Sequence, residues 1–322
     1  MESIGSYLPL ELYSRNKDIL YPHSLLLNSG RNALEYIIKT HRVEKLYIPY
    51  LHCDSIIAPL VRNGVQFEFY SIDKNHLPVW DYNSLKEGEY FLYIDYFGVR
   101  NSVTKYLIDK INHLIIDNTQ AFFSSPLPNI PTFYSTRKFF GVSDGAILCN
   151  VEDTIDLKQD RSADRMRHLL LRVENSSEAG YSSYQEVEKI IETLPLMKMS
   201  ELTTKILLSI DYNYHIKVRR ENFRYLHNSL EKFNRLKFSN IEETNAPLAY
   251  PLWIDDGPSL RAILKENRVF TPIYWSSILD STPEGYIERD MALNTIPIPI
   301  DPRYKTDHLK RVIDLIHKFY GS

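Results

Sequence analysis

The feature that most constrains this chain is an alternation, over its first 150 residues, of short apolar runs with segments of helical periodicity. Residues 32–40 (NALEYIIKT) carry apolar side chains at helical spacing directly after a Ser-Gly turn. Residues 45–48 (KLYI) read as a short buried strand that stops at Pro49. Residues 54–63 read as a helix broken by Gly64, and 66–72 (QFEFYSI) alternate as a strand does. The pattern then repeats: strand at 90–96 (YFLYIDY), helix at 104–111, strand at 113–117 (HLIID), and two more strands at 131–134 and 146–150. Strand, helix, strand at these spacings predicts an α/β fold with right-handed crossovers and a mostly parallel sheet flanked by helices.

The second half changes character. Residues 152–210 are polar and then helical, with Ser176-Ser177 and Ser182-Ser183 expected to mark a loop. A basic helix is expected at 218–233, a strand at 248–254, a helix at 259–267, a strand at 296–300 and a closing helix at 306–319. We therefore expect a large domain over residues 1–215 and a smaller C-terminal α+β domain over 216–322.

A chain of 322 residues, 43% hydrophobic and 25% charged, has ordinary globular composition and is long enough for both units. The net charge is −3, and the lysines and arginines are spread out rather than gathered into the basic stripe that nucleic-acid binding requires. Charges interrupt every apolar stretch before about 18 residues, so no membrane span is expected. The first twelve residues lack the basic-then-apolar layout of a secretory leader. Cys53 and Cys149 each lie in an apolar stretch and read as buried thiols of a reducing compartment, so the expected location is the cytoplasm. The ten histidines include no pair at i, i+4, which argues against a metal site. Twenty-three tyrosines and 14 phenylalanines point to an aromatic core, or to rings laid against a flat ligand.

Three segments carry candidate chemistry. In residues 113–123 (HLIIDNTQAFF), Asp117 falls at the carboxyl end of a strand, the edge of an open α/β sheet where ligands bind, and is placed to meet a cation. The alternative is a cap for a following helix. In residues 132–150 (TFYSTRKFFGVSDGAILCN), Lys138 sits beside Arg137 between two strands. A neighbouring cation and partial burial both favour the neutral amine that a Schiff-base lysine needs. Ser135 offers a hydroxyl within reach of a phosphate, and Asp144-Gly145 forms a tight turn. The alternative here is a basic surface loop. In residues 28–33 (NSGRNA), a Ser-Gly turn opens a helix whose free N–H groups suit a phosphate.

Taken in order, Ser-Gly-x-x-Ala-Leu, Asp-x-x-Gln-Ala, and a lysine followed by an acidic-Gly turn and an apolar strand resemble the DegT/DnrJ/StrS-type sugar aminotransferases, enzymes that depend on pyridoxal 5'-phosphate (PLP). Residues 48–73, 92–98 and 296–316 are similar to further family segments in the same order. The resemblance implies a fold-type-I PLP enzyme that moves an amino group from an amino acid, glutamate for instance, to a keto-sugar. It implies that Lys138 binds the cofactor covalently and that Asp117 pairs with the pyridine nitrogen. Gln120 would lie against the ring or bond its phenolic oxygen. Gly30 and Arg31 would offer backbone N–H groups to the phosphate, with Ser135 beside them. Asn213, in Asp-Tyr-Asn-Tyr-His, would reach the phosphate across a homodimer interface.

The chain departs from the family in three places. Arg137 precedes the lysine where the family has Pro, Thr or Ala. Cys53 stands where an aromatic ring stacker is expected, leaving His52 or Tyr50 for that role. The chain is also shorter, with the missing length between residues 150 and 220. Other readings on the same residues are a PLP-dependent lyase or dehydratase and a non-catalytic PLP- or sugar-binding relative. Arg303 is a candidate partner for a donor carboxylate. Trp80, Trp253 and Trp275 read as core or pocket wall, the last after a strand-like run (VFTPIYW).

Overall fold

A computed structural model describes residues 7–238 and 246–321. The chain enters its main sheet with β1 (Leu25–Leu27) and passes at once into α1 (Gly30–His41). It continues through β2 (Lys45–Pro49), α2 (Ile57–Arg62), β3 (Gln66–Ile72), β4 (Pro78–Val79) and β5 (Glu89–Ile94). Next come α3 (Asn101–Ile108), β6 (Leu114–Asp117), β7 (Thr132–Ser135) and β8 (Ala146–Cys149). Four helices follow: α4 (Arg167–Glu174), α5 (Tyr181–Thr193), α6 (Glu201–Ser209) and α7 (Tyr212–Leu230). The chain ends with β9 (Ala249–Trp253), α8 (Gly257–Glu266), α9 (Ile278–Ser281), α10 (Ile287–Asn294), β10 (Thr295–Pro299) and α11 (Thr306–Phe319).

The eight strands of the main sheet run in the order β1-β8-β7-β6-β5-β2-β3-β4. The central pairs β7·β6, β6·β5, β5·β2 and β2·β3 are parallel, and the antiparallel pairs lie at the two ends. Every residue of β6 and the last four of β5 are buried, the continuous apolar run of a strand covered on both faces. Toward the edge, β3 begins with three exposed residues, Gln66, Phe67 and Glu68. Helix α1 starts where the Ser29 hydroxyl accepts the Asn32 backbone N–H at 3.2 Å, and it packs on β7 and β8 with Ala33, Leu34, Ile37 and Ile38 buried.

In the C-terminal third, β9 and β10 form a two-stranded antiparallel ladder. Helix α11 buries Leu309, Val312, Ile313 and Ile316, an i, i+3, i+4, i+7 stripe, and packs on α7 and α8. One apolar cluster runs from the main sheet through these residues.

Several elements differ from the sequence reading, each for a local reason. Ser182 and Ser183 do not mark a loop: they lie in the first turn of α5, where Ser183, Val187 and Ile191 bury one face at helical spacing. Helix α7 begins six residues before 218, because the Asp211 carboxylate accepts the Tyr214 N–H at 2.9 Å and caps it. Strand β1, three leucines long, is too short to show periodicity. The run 269–275 joins no sheet, and Pro272 within it lacks the N–H that a ladder needs. Cys149 is buried in β8 as expected, whereas Cys53 is exposed, because it lies beyond the end of β2 at the sheet edge.

Candidate active site

Strand register brings the three candidate segments to one edge. Strands β2, β5, β6 and β7 are parallel, so their carboxyl ends share that edge. Antiparallel β8 starts there, with Ala146 opposite Ser135, and β1 ends there, with Leu27 opposite Ala146. Asn28 to Gly30, Ser135 to Lys138 and Asp117 therefore converge without any long loop. The chain leaves β3 to return beside β2 at β5, so the strand order reverses between β2 and β5, one strand away from Asp117.

Asp117 is buried at the last position of β6, and its Oδ1 accepts the Thr119 backbone N–H at 2.8 Å. The segment after it is a turn, so the helix-capping alternative does not apply. Burial raises the Asp117 pKa, and the nearby charge of Lys138 and hydrogen bonds from Thr119 oppose that rise. A carboxyl so placed stays ionised best when a cation faces it. Lys138 lies in the turn after β7, and its Nζ reaches the Thr119 hydroxyl at 3.5 Å and lies 5.9 Å from the centre of the Tyr274 ring. The expected partial burial of Lys138 is not found. The side chain is exposed, because the turn projects beyond the sheet edge.

Thr119 also joins the third segment. A Cβ placed on Gly30 would sit 3.2 Å from Thr119 Cγ2 and 4.0 Å from Phe133 Cδ2, so the first residue of α1 lies against the Asp117 turn with little room for a side chain. Amine, buried carboxylate and helix N-terminus thus surround one small region.

The other candidates are placed as follows. Gln120 is buried, and its Oε1 accepts the Phe97 N–H at 2.9 Å. Ser135 is half-buried at the end of β7, on the same face as Phe133 by strand alternation. The Arg31 Nη1 donates to the Ile191 carbonyl of α5 at 3.1 Å. Asn213 is exposed in the first turn of α7, and no hydrogen bond ties it to the Lys138 cluster among the described residues. His52 and Tyr50 both stack on Phe69, with ring centres 5.2 Å and 5.1 Å from it. Arg303 grips Asp301 through two nitrogens, at 2.6 Å and 2.8 Å, so its fork is already occupied. Arg137 is ion-paired with Glu188 of α5. Trp253 and Trp275 are buried in the core and Trp80 packs against it.

Three residues here were not singled out from sequence. Thr119 lay in plain view inside Asp-Asn-Thr-Gln-Ala. Tyr274, half-buried over Lys138 and packed on Phe97 and Trp275, carried no motif. Glu188 is one acidic residue of an amphipathic helix and gave no signal. A cleft of about 670 Å³ lies at the opposite edge of the sheet, beside Tyr21, His41, Cys149 and Asn150, and its described lining contains no lysine. Among the described residues, no His, Cys, Asp and Glu cluster suits a metal ion, and no helix is long and apolar enough to cross a membrane.

No protein-family model matches the chain, and no curated protein matches it by sequence. Solved structures do match it in three dimensions. The sugar aminotransferase CalS13 of Micromonospora echinospora superposes with a TM-score of 0.64 at 15% identity, over 93% of this chain and 88% of that one. A DegT DnrJ EryC1 StrS aminotransferase of Brucella abortus gives a TM-score of 0.64 at 13% identity, over 95% and 92%. A Streptococcus pneumoniae sugar aminotransferase in its PLP form gives 0.64 at 12% identity, over 92% and 86%. Across nearly its whole length, this chain has the fold of those enzymes, fold type I.

Proposed function

We propose that this protein is a PLP-dependent aminotransferase that takes an amino group from an amino acid and delivers it to a keto-sugar. The carrying observation is the convergence of Lys138 and Asp117 on Thr119, against the N-terminus of α1 at Gly30. The solved enzymes of the same fold are sugar aminotransferases, one of them in a PLP form, which supports the acceptor class and the cofactor.

The residues present fit PLP by the chemistry of the donor set. The exposed amine of Lys138 suits an aldehyde, the buried carboxylate of Asp117 suits a ring nitrogen that carries a proton, and the glycine-opened start of α1 suits a phosphate. When bound, PLP supplies an electrophilic carbon and an electron-withdrawing ring that stabilises negative charge at the donor's Cα.

The chain's own residues then divide the work. Lys138 would hold the cofactor through its amine, and its Nζ, when free, would carry a proton between the donor's Cα and the cofactor carbon on the far side of the donor nitrogen. Asp117 would pair with the ring nitrogen and favour its protonated form. Gln120 fixes the turn after Asp117 by bonding Phe97, and Ser135 adds a hydroxyl at the phosphate end. Arg31 fixes α5 against α1 through the Ile191 carbonyl, while its backbone N–H lies in the first turn of α1 and serves the phosphate.

In this reading residues 1–215 form the cofactor domain and 216–322 the smaller one. The active unit is a cytoplasmic homodimer, and the product feeds surface-polysaccharide or related sugar biosynthesis. The test is direct. Purified protein is incubated with PLP, reduced with borohydride and mapped, and a separate sample receives L-glutamate while its visible band is followed. The expected outcome is a covalent adduct at Lys138, absent from Lys138→Ala and present in Arg137→Ala, and loss of the visible band with glutamate. An adduct that survives loss of Lys138 would refute the assignment.

A further inference from the structure

Arg137 is the cation nearest Lys138 in sequence, and it departs from the pattern the rest of this segment resembles. Its guanidinium is not free. One nitrogen holds the Glu188 carboxylate of α5, while its Nε is buried with no hydrogen-bond partner. The Arg137 side chain is 19% exposed and Glu188 is 37% exposed, so the acid is the member of the pair that water can reach and draw away.

The other arginines near the site are less available. Arg303 is held through two nitrogens by Asp301, and Arg219 is buried, with Nη1 on the Pro247 and Leu248 carbonyls, both at 3.0 Å. Arg31 is tied to the Ile191 carbonyl, and Arg62 to Glu35 at 2.9 Å. An amino donor whose nitrogen reacts beside Lys138 carries its α-carboxylate two bonds away. The cation that holds this carboxylate therefore has to stand close to Lys138.

We propose that Arg137 binds the α-carboxylate of the amino donor, and that Glu188 occupies the guanidinium as a stand-in until the donor displaces it. This rests on the aminotransferase reading. Arg137 then sets donor affinity by a charge-assisted, planar contact, the geometry that makes guanidinium the preferred partner of carboxylates. Glu188 competes for the same nitrogens, so the apparent affinity is the intrinsic one reduced by the fraction of Arg137 that is free. Tyr184 and Glu188, at i, i+4 on α5, both stand near Arg137, and so do Arg31 and the His168 ring, so departure of the acid leaves the guanidinium beside a ring and a second guanidinium, a field that favours an incoming carboxylate.

The experiment exploits opposite signs. Wild type, Arg137→Gln and Glu188→Gln are titrated calorimetrically with L-glutamate and with L-alanine, each with and without PLP. Melting temperatures and the rate of PLP adduct formation are recorded in parallel. We expect Arg137→Gln to weaken binding of both amino acids about ten-fold or more. Glu188→Gln should tighten binding by about three-fold or more, since it removes the competitor. A purely structural clamp between α5 and the Lys138 turn predicts the same sign for both variants, since each breaks the same pair. That outcome, or an absence of amino-acid binding to wild type, overturns the proposal. The two readings remain separable. Same-sign effects with a normal adduct at Lys138 sink only the role of Arg137. Opposite-sign effects in a protein that never forms the adduct leave a carboxylate site standing and sink the cofactor assignment.

Discussion

The side-chain oxygen of Gln120 accepts the backbone N–H of Phe97 at 2.9 Å and so ties the turn after β6 to the turn after β5. Phe97 is buried with a left-handed backbone (φ 58°), a conformation a bulky residue adopts only when its surroundings impose it. Next to it, a Cβ on Gly98 would lie 3.2 Å from the Gln120 carbonyl oxygen and from the Ala121 Cα, so the two turns are also in steric contact. Gln120→Ala should leave the Phe97 N–H buried and unpaired, costing about 1–3 kcal/mol in urea unfolding. An unchanged midpoint and slope would show that another group satisfies it.

Asp95, one turn away, gives a prediction in pH. Burial raises its pKa from 3.8 to about 6, against hydrogen bonds from the Arg100 N–H at 2.9 Å and the Ser124 hydroxyl at 3.3 Å. A carboxyl raised in the folded state binds its proton more tightly there than in the unfolded chain. Its contribution to stability is therefore full below about pH 4 and is lost as pH climbs through about 6, a loss of roughly 3 kcal/mol for a difference of about two pH units. Asp95→Asn should flatten that part of the stability–pH profile, because an amide oxygen still accepts from Arg100 and an amide nitrogen can face Ser124. A profile of unchanged slope between pH 4 and 6 would show that Asp95 does not titrate in this window.

Asp117 is predicted to matter for reaction more than for folding. In Asp117→Asn the shape of the side chain and its bond from the Thr119 N–H persist, while the negative charge that would face the ring nitrogen in the proposed site is gone. PLP should still bind, and its half-reaction with L-glutamate should slow by about two to three orders of magnitude, the scale typical of a lost electrostatic stabiliser. Asp117→Ala should do at least as much harm. A full rate in either variant would return Asp117 to the role of a turn residue.

Much of this arrangement was legible beforehand, because the parallel core writes itself plainly in sequence. Strand β3 and helix α11 have the bounds their periodicities predict, and Lys138, Asp117 and Gly30 meet because strand ends on one edge of a parallel sheet must meet. What stayed hidden depends on contacts between elements distant in sequence. Glu188 lies 51 residues from Arg137, and nothing in its helix distinguishes it from a solvated acid. Asp144 read as part of a tight turn, yet it is buried and accepts the Ser200 N–H at 2.7 Å and the Ser200 hydroxyl at 2.8 Å, so the turn anchors the start of α6. The exposure of Cys53 and of Lys138 follows from where strands stop, and periodicity places that least well.

The last prediction concerns assembly. A phosphate carries up to two negative charges, and one helix N-terminus with one hydroxyl satisfies it only in part. Asn213 is exposed in the first turn of α7. The neighbouring chain end is apolar: Tyr7, Leu8, Leu10 and Tyr13 are exposed, and the segment is tethered beside α7 by Arg15, which contacts Asp211 at 3.3 Å. An exposed apolar segment of this kind fits burial against a second copy, and twofold closure is the commonest soluble assembly. If Asn213 completes the phosphate site of the partner, Lys138→Ala and Asn213→Ala chains should each have little activity alone and recover some when mixed under subunit exchange. A mixed dimer then holds one site with both lesions and one with neither, so equal mixing should restore about a quarter of wild-type activity. No recovery despite proven exchange, or full activity in a strictly monomeric wild-type sample, would confine the site to a single chain and leave Asn213 a surface residue.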